Sequence, residues 1–285
     1  MEEIKTAAQL YRYMKNQLKA SGIEDFDLES RILLSYVLKE EPFFVYMKPE
    51  KPVSEEDVQK AMALTEKRKE GVPSRYLTRK AYFMDFEFYV DENVLIPRQD
   101  TEVLVQKALD FLKDNPKAKV LDIGTGSGCI AVSIALLNPA CTVDATDISK
   151  EALAVARKNA LLNGAEKRVR FIESDLFSGL SDKYDMIVSN PPYIKPSEFL
   201  TLQKEVRCHE PVLALVADEE GLAFYRRIAK EAKSFLNDGG FLLFETGYDQ
   251  ARSVYRIMEE EGFTFLEITK DYNGIERVVS GRMNE

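Results

Sequence analysis

The chain has 285 residues, 45% of them hydrophobic, and carries 39 Lys and Arg against 48 Asp and Glu for a formal charge of −9. The length suits two domains of unequal size, and the apolar share supports a packed core rather than global disorder. The acidic balance argues against a protein whose main partner is duplex DNA, which leaves a basic footprint.

The three cysteines, Cys129, Cys141 and Cys208, are dispersed, with no CxxC pair. Such a set fits reduced thiols better than a disulfide framework. The opening MEEIKTAAQL lacks the basic flank and apolar core of a signal peptide. No apolar run approaches the roughly 18–20 residues of a membrane span. The expectation is a soluble, cytoplasmic protein that does not engage a membrane.

Residues 1–72 read as a small helical bundle. TAAQLYRYMKNQLKASG has Thr6 as N-cap, an apolar face at Leu10, Met14 and Leu18, and Gly22 as a stop. DLESRILLSYVLKEE repeats the pattern from Asp27, with Ile32, Leu33, Tyr36 and Val37 turned inward. SEEDVQKAMALTEKRKEG opens with Ser54 and Asp57 at capping-box spacing and closes on Gly71. From 73 to 96 the texture changes. AYFMDFEFYVDENVLIP is rich in aromatic and β-branched residues around Asp91-Glu92-Asn93, and predicts a β-hairpin linker.

Residues 97–285 alternate short apolar strands with amphipathic helices: KVLDIG, CTVDATD, VRFIES, YDMIVSN, GFLLFET, FTFLEIT and RVVSGR are the strands. This predicts a doubly wound α/β fold with ligands at the carboxyl ends of the strands. DIGTGSG follows the first of these strands. Its glycines, Gly124, Gly126 and Gly128, permit a tight turn and close backbone approach, with Thr125 and Ser127 between them and a helix N-terminus after them. The spacing is GxGxG with Asp122 two residues ahead, not the GxGxxG of a dinucleotide site. An acid at a strand end suits an ammonium group and a helix N-terminus suits a carboxylate. Both occur on the methionine part of S-adenosylmethionine. Asp147 closes the next strand about 20 residues on, where an acid can accept from ribose hydroxyls.

DMIVSNPPYI places Asn190-Pro191-Pro192-Tyr193 at the end of a buried strand. Adjacent prolines stop a strand and donate no N–H, leaving nearby carbonyls for a ligand. An amide nitrogen is a poor nucleophile, so catalysis must aim its lone pair. The side-chain carbonyl of Asn190 and the backbone carbonyl of Pro191 can each accept one N–H of a target NH2, and Tyr193 can stack on a planar target group. A Pro-Pro turn with an Asn cap is the bland alternative.

DIGTGSG, ATD and NPPY, in this order, resemble the class I methyltransferases that act on planar amide or amino nitrogens. VPSRYLTRKAYFMDFEFYVDENVLIPRQDTEVLV, EVRCHEPVLALVADEEGLAFYRRI and KDYNGIERVVSGR further resemble the HemK/PrmC-type glutamine methyltransferases. The resemblance spans nearly the whole chain. It implies a Rossmann-like seven-stranded sheet behind the helical bundle, with S-adenosylmethionine as cofactor. The substrate it implies is the glutamine of the Gly-Gly-Gln tip of peptide chain release factors, with the bundle helping to hold the release factor. Apart from the resemblance, the acidic balance and the lone histidine lead to the expectation of no direct nucleic-acid partner and no metal, and a monomer is expected. Asp122, Gly124, Thr125, Gly126, Ser127, Gly128, Asp147, Leu176 and Asn190 are expected at the cofactor. Asn190, Pro191, Pro192 and Tyr193 are expected at the substrate, with Asn190, Pro191 and Tyr193 carrying the chemistry.

Four positions depart from the family pattern. Gln99 and Asp100 stand where proline and glutamate are usual, and Arg79 stands where glycine is usual after Tyr-Leu-Thr. Leu176 stands where relatives often place an aromatic residue against the adenine, so an apolar wall is expected there. His209 beside Cys208 lacks a ligand set and reads as a surface or packing residue. Arg98 is expected to pair with a carboxylate of ligand or protein. The rival readings are a ribosomal-protein glutamine methyltransferase, a DNA or RNA amino-methyltransferase, and a non-catalytic binder of the cofactor or of a release factor.

Overall fold

The computed structural model describes residues 4–284. Chain contacts divide into two units, Met1–Arg79 with Gln203–His209, and Lys80–Leu202 with Glu210–Glu285. None of the described helices is long and apolar enough to cross a membrane.

The first unit holds α1 (Ala7–Ala20), α2 (Phe26–Leu38), α3 (Phe44–Met47), α4 (Glu55–Lys69) and α5 (Ser74–Thr78). Thr6 caps α1 in a capping box with Gln9, and Ser54 caps α4 with Asp57. Leu10, Met14 and Leu18 meet Leu33, Leu34 and Val37 in one apolar cluster. Asp25, not Asp27, occupies the N-cap of α2. Asp27 instead accepts from Tyr11 Oη at 2.6 Å and Lys15 Nζ at 2.5 Å. Tyr36 was expected inside but is 40% exposed. The buried positions of α2 are Ser30, Ile32, Leu33, Leu34 and Val37, while the Tyr36 ring lies at the surface with Lys60 Nζ 4.9 Å from its centroid. Arg68 reaches Glu29 and Glu205, both at 2.6 Å, and so ties the 203–209 segment to this unit. Arg79 ends α5 at φ 57, a left-handed cap that explains why glycine is common there.

In the second unit a hairpin, β1 (Ala81–Phe83) and β2 (Phe86–Phe88), precedes the main sheet. Its turn is Met84-Asp85, both at positive φ, rather than the expected Asp91-Glu92-Asn93. Glu102 stabilises that turn by accepting the Met84 N–H at 2.9 Å. Phe83 and Phe88 are buried in the core of this unit.

The sheet strands are β3 (Lys119–Ile123), β4 (Thr142–Asp147), β5 (Val169–Glu173), β6 (Tyr184–Ser189), β7 (Leu236–Glu245), β8 (Phe263–Lys270) and β9 (Glu276–Met283). Their order is β5-β4-β3-β6-β7-β9-β8, parallel as far as β7, with β9 antiparallel to both neighbours. The expected seven-stranded sheet is therefore the one found. The helices of this part of the chain are α6 (Glu102–Asp114), α7 (Cys129–Leu137), α8 (Lys150–Leu162), the short α9 (Pro196–Phe199), α10 (Lys204–His209, counted in the first unit) and α11 (Asp218–Gly221), then α12 (Ala223–Phe235) and α13 (Ala251–Glu260).

Strand periodicity sorts the core into two layers. Val120, Met186, Val188 and Leu243 point to the face covered by α6, α7 and α8. Leu121, Ile123, Ile187, Leu242 and Phe244 point to the face covered by α12 and α13. Strand order changes direction at β3, between β4 and β6, and that switch opens a crevice at the carboxyl ends.

Candidate active site

At the end of β3 the backbone turns through Gly124–Gly128 into α7. Gly124 and Thr125 both donate to the Thr146 carbonyl, at 2.9 and 2.8 Å, which ties the loop to β4. Asp147 accepts the Gly126 N–H at 2.9 Å on one oxygen and the Ser149 N–H at 2.9 Å on the other. Gly126 sits at φ +53, which a side chain disfavours. Gly128 has a second reason to lack a side chain: a Cβ there would lie 3.1 Å from Ala156 Cβ on α8.

Asp122 is fully buried behind this loop. Its Oδ2 accepts the Thr125 hydroxyl at 2.6 Å, while Oδ1 has no hydrogen-bond partner. Burial pushes its carboxyl up to about 7, and burial likewise raises that of Asp147.

β6 ends at Ser189, whose hydroxyl donates to the Ile123 carbonyl at 2.8 Å and ties the ends of β3 and β6 together. The next residue, Asn190, donates from Nδ2 to Thr101 Oγ1 at 3.3 Å. Among the described residues none donates a hydrogen bond to the Pro191 carbonyl. Beyond the prolines the chain is anchored by Gln250, which donates to the Tyr193 carbonyl at 3.0 Å, and by an exchange between Ile194 and the 215–217 segment.

These two loops face one cavity of ≈ 290 Å³ lying within the second unit. Of the predicted residues, Gly124, Thr125, Gly126, Ser127, Asp147, Leu176, Asn190, Pro191 and Pro192 line it. Asp122, Gly128 and Tyr193 do not. Asp122 lies one layer back, and Gly128 serves the α7–α8 approach. Tyr193 packs against the core formed with α12 and α13, where burial pushes its hydroxyl up to about 12. Leu176 forms an apolar part of the wall at φ 52. Arg98 lines the cavity and pairs with buried Glu210 at 2.5 Å, so a protein carboxylate is its partner. Asp100 keeps its charge in use by pairing with Arg277 at 3.1 Å. Among the described residues no group of His, Cys, Asp and Glu is placed to hold a metal.

Three residues that shape the site were not singled out in the sequence. Buried Asn159 on α8 donates to the carbonyls of Ser127 at 2.8 Å and Tyr89 at 2.9 Å, and accepts the Tyr89 N–H at 2.6 Å. Thr101 and Glu245 sit behind Asn190 and are both buried. An Asn in the middle of the amphipathic pattern KNALL was the available signal for the first. Glu245 ends an apolar strand as Asp122 does, and that parallel was the signal for it.

Residues 9–78 match the family model "PrmC N-terminal domain" and residues 99–206 match "Methyltransferase small domain". The chain is 40% identical to the release factor glutamine methyltransferase of Clostridium acetobutylicum, over 92% of this chain and 93% of that protein. It is also 40% identical to the release factor glutamine methyltransferase of Geobacter sulfurreducens, over 99% and 98%. A methyltransferase structure from Pyrococcus furiosus superposes with a TM-score of 0.53 at 18% identity, covering 71% of this chain and 91% of that one, which speaks for the fold alone. Identity of this extent, reaching across both the helical unit and the sheet, makes the chain a member of the release factor glutamine methyltransferase family.

Proposed function

We propose that the chain methylates the side-chain nitrogen of the glutamine in the Gly-Gly-Gln tip of peptide chain release factors, with S-adenosylmethionine as donor. The observation that carries this reading is the sharing of one cavity by the glycine loop and the Asn190–Pro192 turn. A donor held by the one loop and an amide held by the other therefore face the same space.

The residues present fit the donor. The cavity floor is a glycine loop leading into a helix N-terminus, backed by the unpartnered, buried Asp122 Oδ1. Burial holds this carboxyl near 7, so a cationic ligand draws it into its ionised form and is stabilised by the charge that results. Asp147 keeps lone pairs for hydroxyls after its two backbone bonds, and Leu176 offers an apolar surface to a planar ring. When bound, S-adenosylmethionine supplies a methyl group on a sulfonium centre.

The chain's own contribution is positional. Asn190 has its Nδ2 engaged by Thr101, which leaves Oδ1 to accept one amide N–H. The Pro191 carbonyl accepts the other. Two acceptors on one NH2 fix its plane, direct its lone pair, and stabilise the positive charge that grows on nitrogen. The proton lost after transfer passes to water. The proposal rests on Asn190 and Pro191. The stacking expected of Tyr193 requires its ring to turn toward the substrate. The helical unit is assigned to holding the release factor, and the chain is taken to work as a cytoplasmic monomer.

The test is transfer of labelled methyl from S-adenosylmethionine to purified release factor, its tip Gln→Ala variant, a ribosomal protein mixture and duplex DNA. Label on the unaltered release factor alone supports the reading. Label on ribosomal protein or DNA overturns the substrate, and no label on any of them overturns the activity.

A further inference from the structure

The mechanism above leaves one buried acid unused. Glu245 ends β7 beside the end of β6, since Phe244 pairs with Ser189, the residue before Asn190. Its side chain is 1% exposed, and Oε2 has no hydrogen-bond partner. The Thr101 hydroxyl and the Asn190 side-chain amide lie against its carboxylate and favour its ionised form. Thr101 Oγ1 in turn accepts from Asn190 Nδ2 at 3.3 Å.

From this arrangement we infer that Glu245, acting with Thr101, is a positioning residue that sets which end of the Asn190 amide faces the substrate. The inference rests on the functional reading above and deepens it. An ionised carboxylate accepts hydrogen bonds and donates none. Facing Thr101 and Asn190, it draws the hydroxyl proton of one and the NH2 end of the other toward itself. The hydroxyl oxygen then has a lone pair for Asn190 Nδ2, and Oδ1 is the end left for the cavity. A protonated Glu245 donates instead. The hydroxyl or the amide carbonyl can then turn toward it, and Asn190 would present N–H groups to a substrate that is itself a donor.

The charged and titratable groups around Glu245 are few. Arg277 on β9 and Asp100 before α6 act on it with opposite signs. Tyr193, Tyr225 of α12 and Cys129 of α7 also feel its charge. The Tyr225 hydroxyl donates to the Glu245 backbone carbonyl at 3.0 Å and not to its carboxylate. Burial pushes the Glu245 carboxyl up to about 7, so the switch between the two hydrogen-bonding modes falls where activity is measured.

The experiment uses the full chain with a release factor as acceptor and compares wild type, Thr101→Val, Thr101→Ser, Glu245→Gln and Asn190→Ala. Thr101→Val keeps shape and removes the hydroxyl that accepts from Asn190 Nδ2 and favours the ionised Glu245. It should lower kcat on the order of 100-fold, the scale of a misaimed reacting group, with the KM for release factor and the affinity for S-adenosylmethionine little changed. Thr101→Ser should restore most of kcat. Wild-type kcat should rise with pH through about 7, and Glu245→Gln should lose that limb. A readout that needs no turnover is the NMR shift of the Asn190 side-chain amide. It should titrate near pH 7 in wild type and be flat in Glu245→Gln. Equal kcat for Thr101→Val and Thr101→Ser, or an amide shift that ignores Glu245, would overturn the inference. Failure of the functional reading shows separately, as absent wild-type transfer or as full activity in Asn190→Ala, and the amide titration still decides the inference in that case.

Discussion

Replacing Gly128 with alanine separates two reasons for the glycine loop. The first is conformational: Gly128 sits at φ +80, and an L side chain in left-handed backbone costs about 1–2 kcal/mol. The second is contact. The added Cβ would stand 3.1 Å from Ala156 Cβ and 3.2 Å from its Cα, both held in a helix against α7. Overpacking of that kind costs about 1–3 kcal/mol. Together they give a loss of roughly 2–5 kcal/mol for Gly128→Ala. Ala156→Gly alone should cost about 1 kcal/mol as a helix-interior glycine. The double variant should then be more stable than the sum of the single changes by roughly the contact share, about 1–3 kcal/mol. Urea unfolding of the four proteins measures this cycle, and calorimetric titration with S-adenosylmethionine follows the loop. A loss below about 1 kcal/mol for Gly128→Ala, or a coupling of zero with Ala156→Gly, would refute the packing argument.

Asn159→Leu removes the bonds to the Ser127 carbonyl and to the backbone N–H and carbonyl of Tyr89, so a loss of about 2–4 kcal/mol in unfolding free energy is expected. A loss under about 1 kcal/mol would show those bonds replaced by water. Arg68→Met removes the cation shared by Glu29, which keeps only the Ser74 hydroxyl, and Glu205, and should destabilise the helical unit by about 3 kcal/mol in thermal unfolding, whereas an unchanged transition would mean the pairs contribute nothing. Asp122 titrates near 7 in the fold against an ordinary 3.8, so the folded state holds its proton over that window. Its contribution therefore lowers stability as pH rises from about 4 to about 7 and is constant above. Asp122→Asn should remove about 3 kcal/mol of that decline between about pH 5 and 8.5, measured by urea unfolding, and an identical pH slope in the variant would contradict the assignment. Leu176→Ala should weaken S-adenosylmethionine binding about tenfold through lost apolar contact, and an unchanged affinity would remove Leu176 from the site.

Much of this architecture is legible in sequence because the strands that build the crevice are short, apolar and separated by amphipathic helices. Val120-Leu121 and Ile187-Val188 alternate between two cores, and such alternation is a local property of the sequence. The glycine loop and the Asn190–Tyr193 turn were equally plain, since each combines residues that rarely meet by chance at a strand end. Other features depend on neighbours far along the chain. The hairpin turns at Met84-Asp85, against the preference of Met for negative φ, because β1 pairs with β2 and Glu102 holds the turn. The 203–209 segment belongs to the helical unit through the Arg68–Glu205 pair, a contact no local pattern announces. Thr101 reads as the start of a helix and Glu245 as the end of a strand. Only the β6–β7 register sets Glu245 against Asn190.

The measurement that bears most directly on the central claim is a single-turnover comparison of wild type and Asn190→Ala on a release factor, with S-adenosylmethionine affinity determined for both. Positioning by Asn190 requires transfer to fall by about 100-fold or more while the cofactor still binds within about threefold of wild type. Transfer at the wild-type rate by Asn190→Ala would contradict the account, because the chemistry would then not depend on the acceptor that the Asn190–Pro191 turn presents.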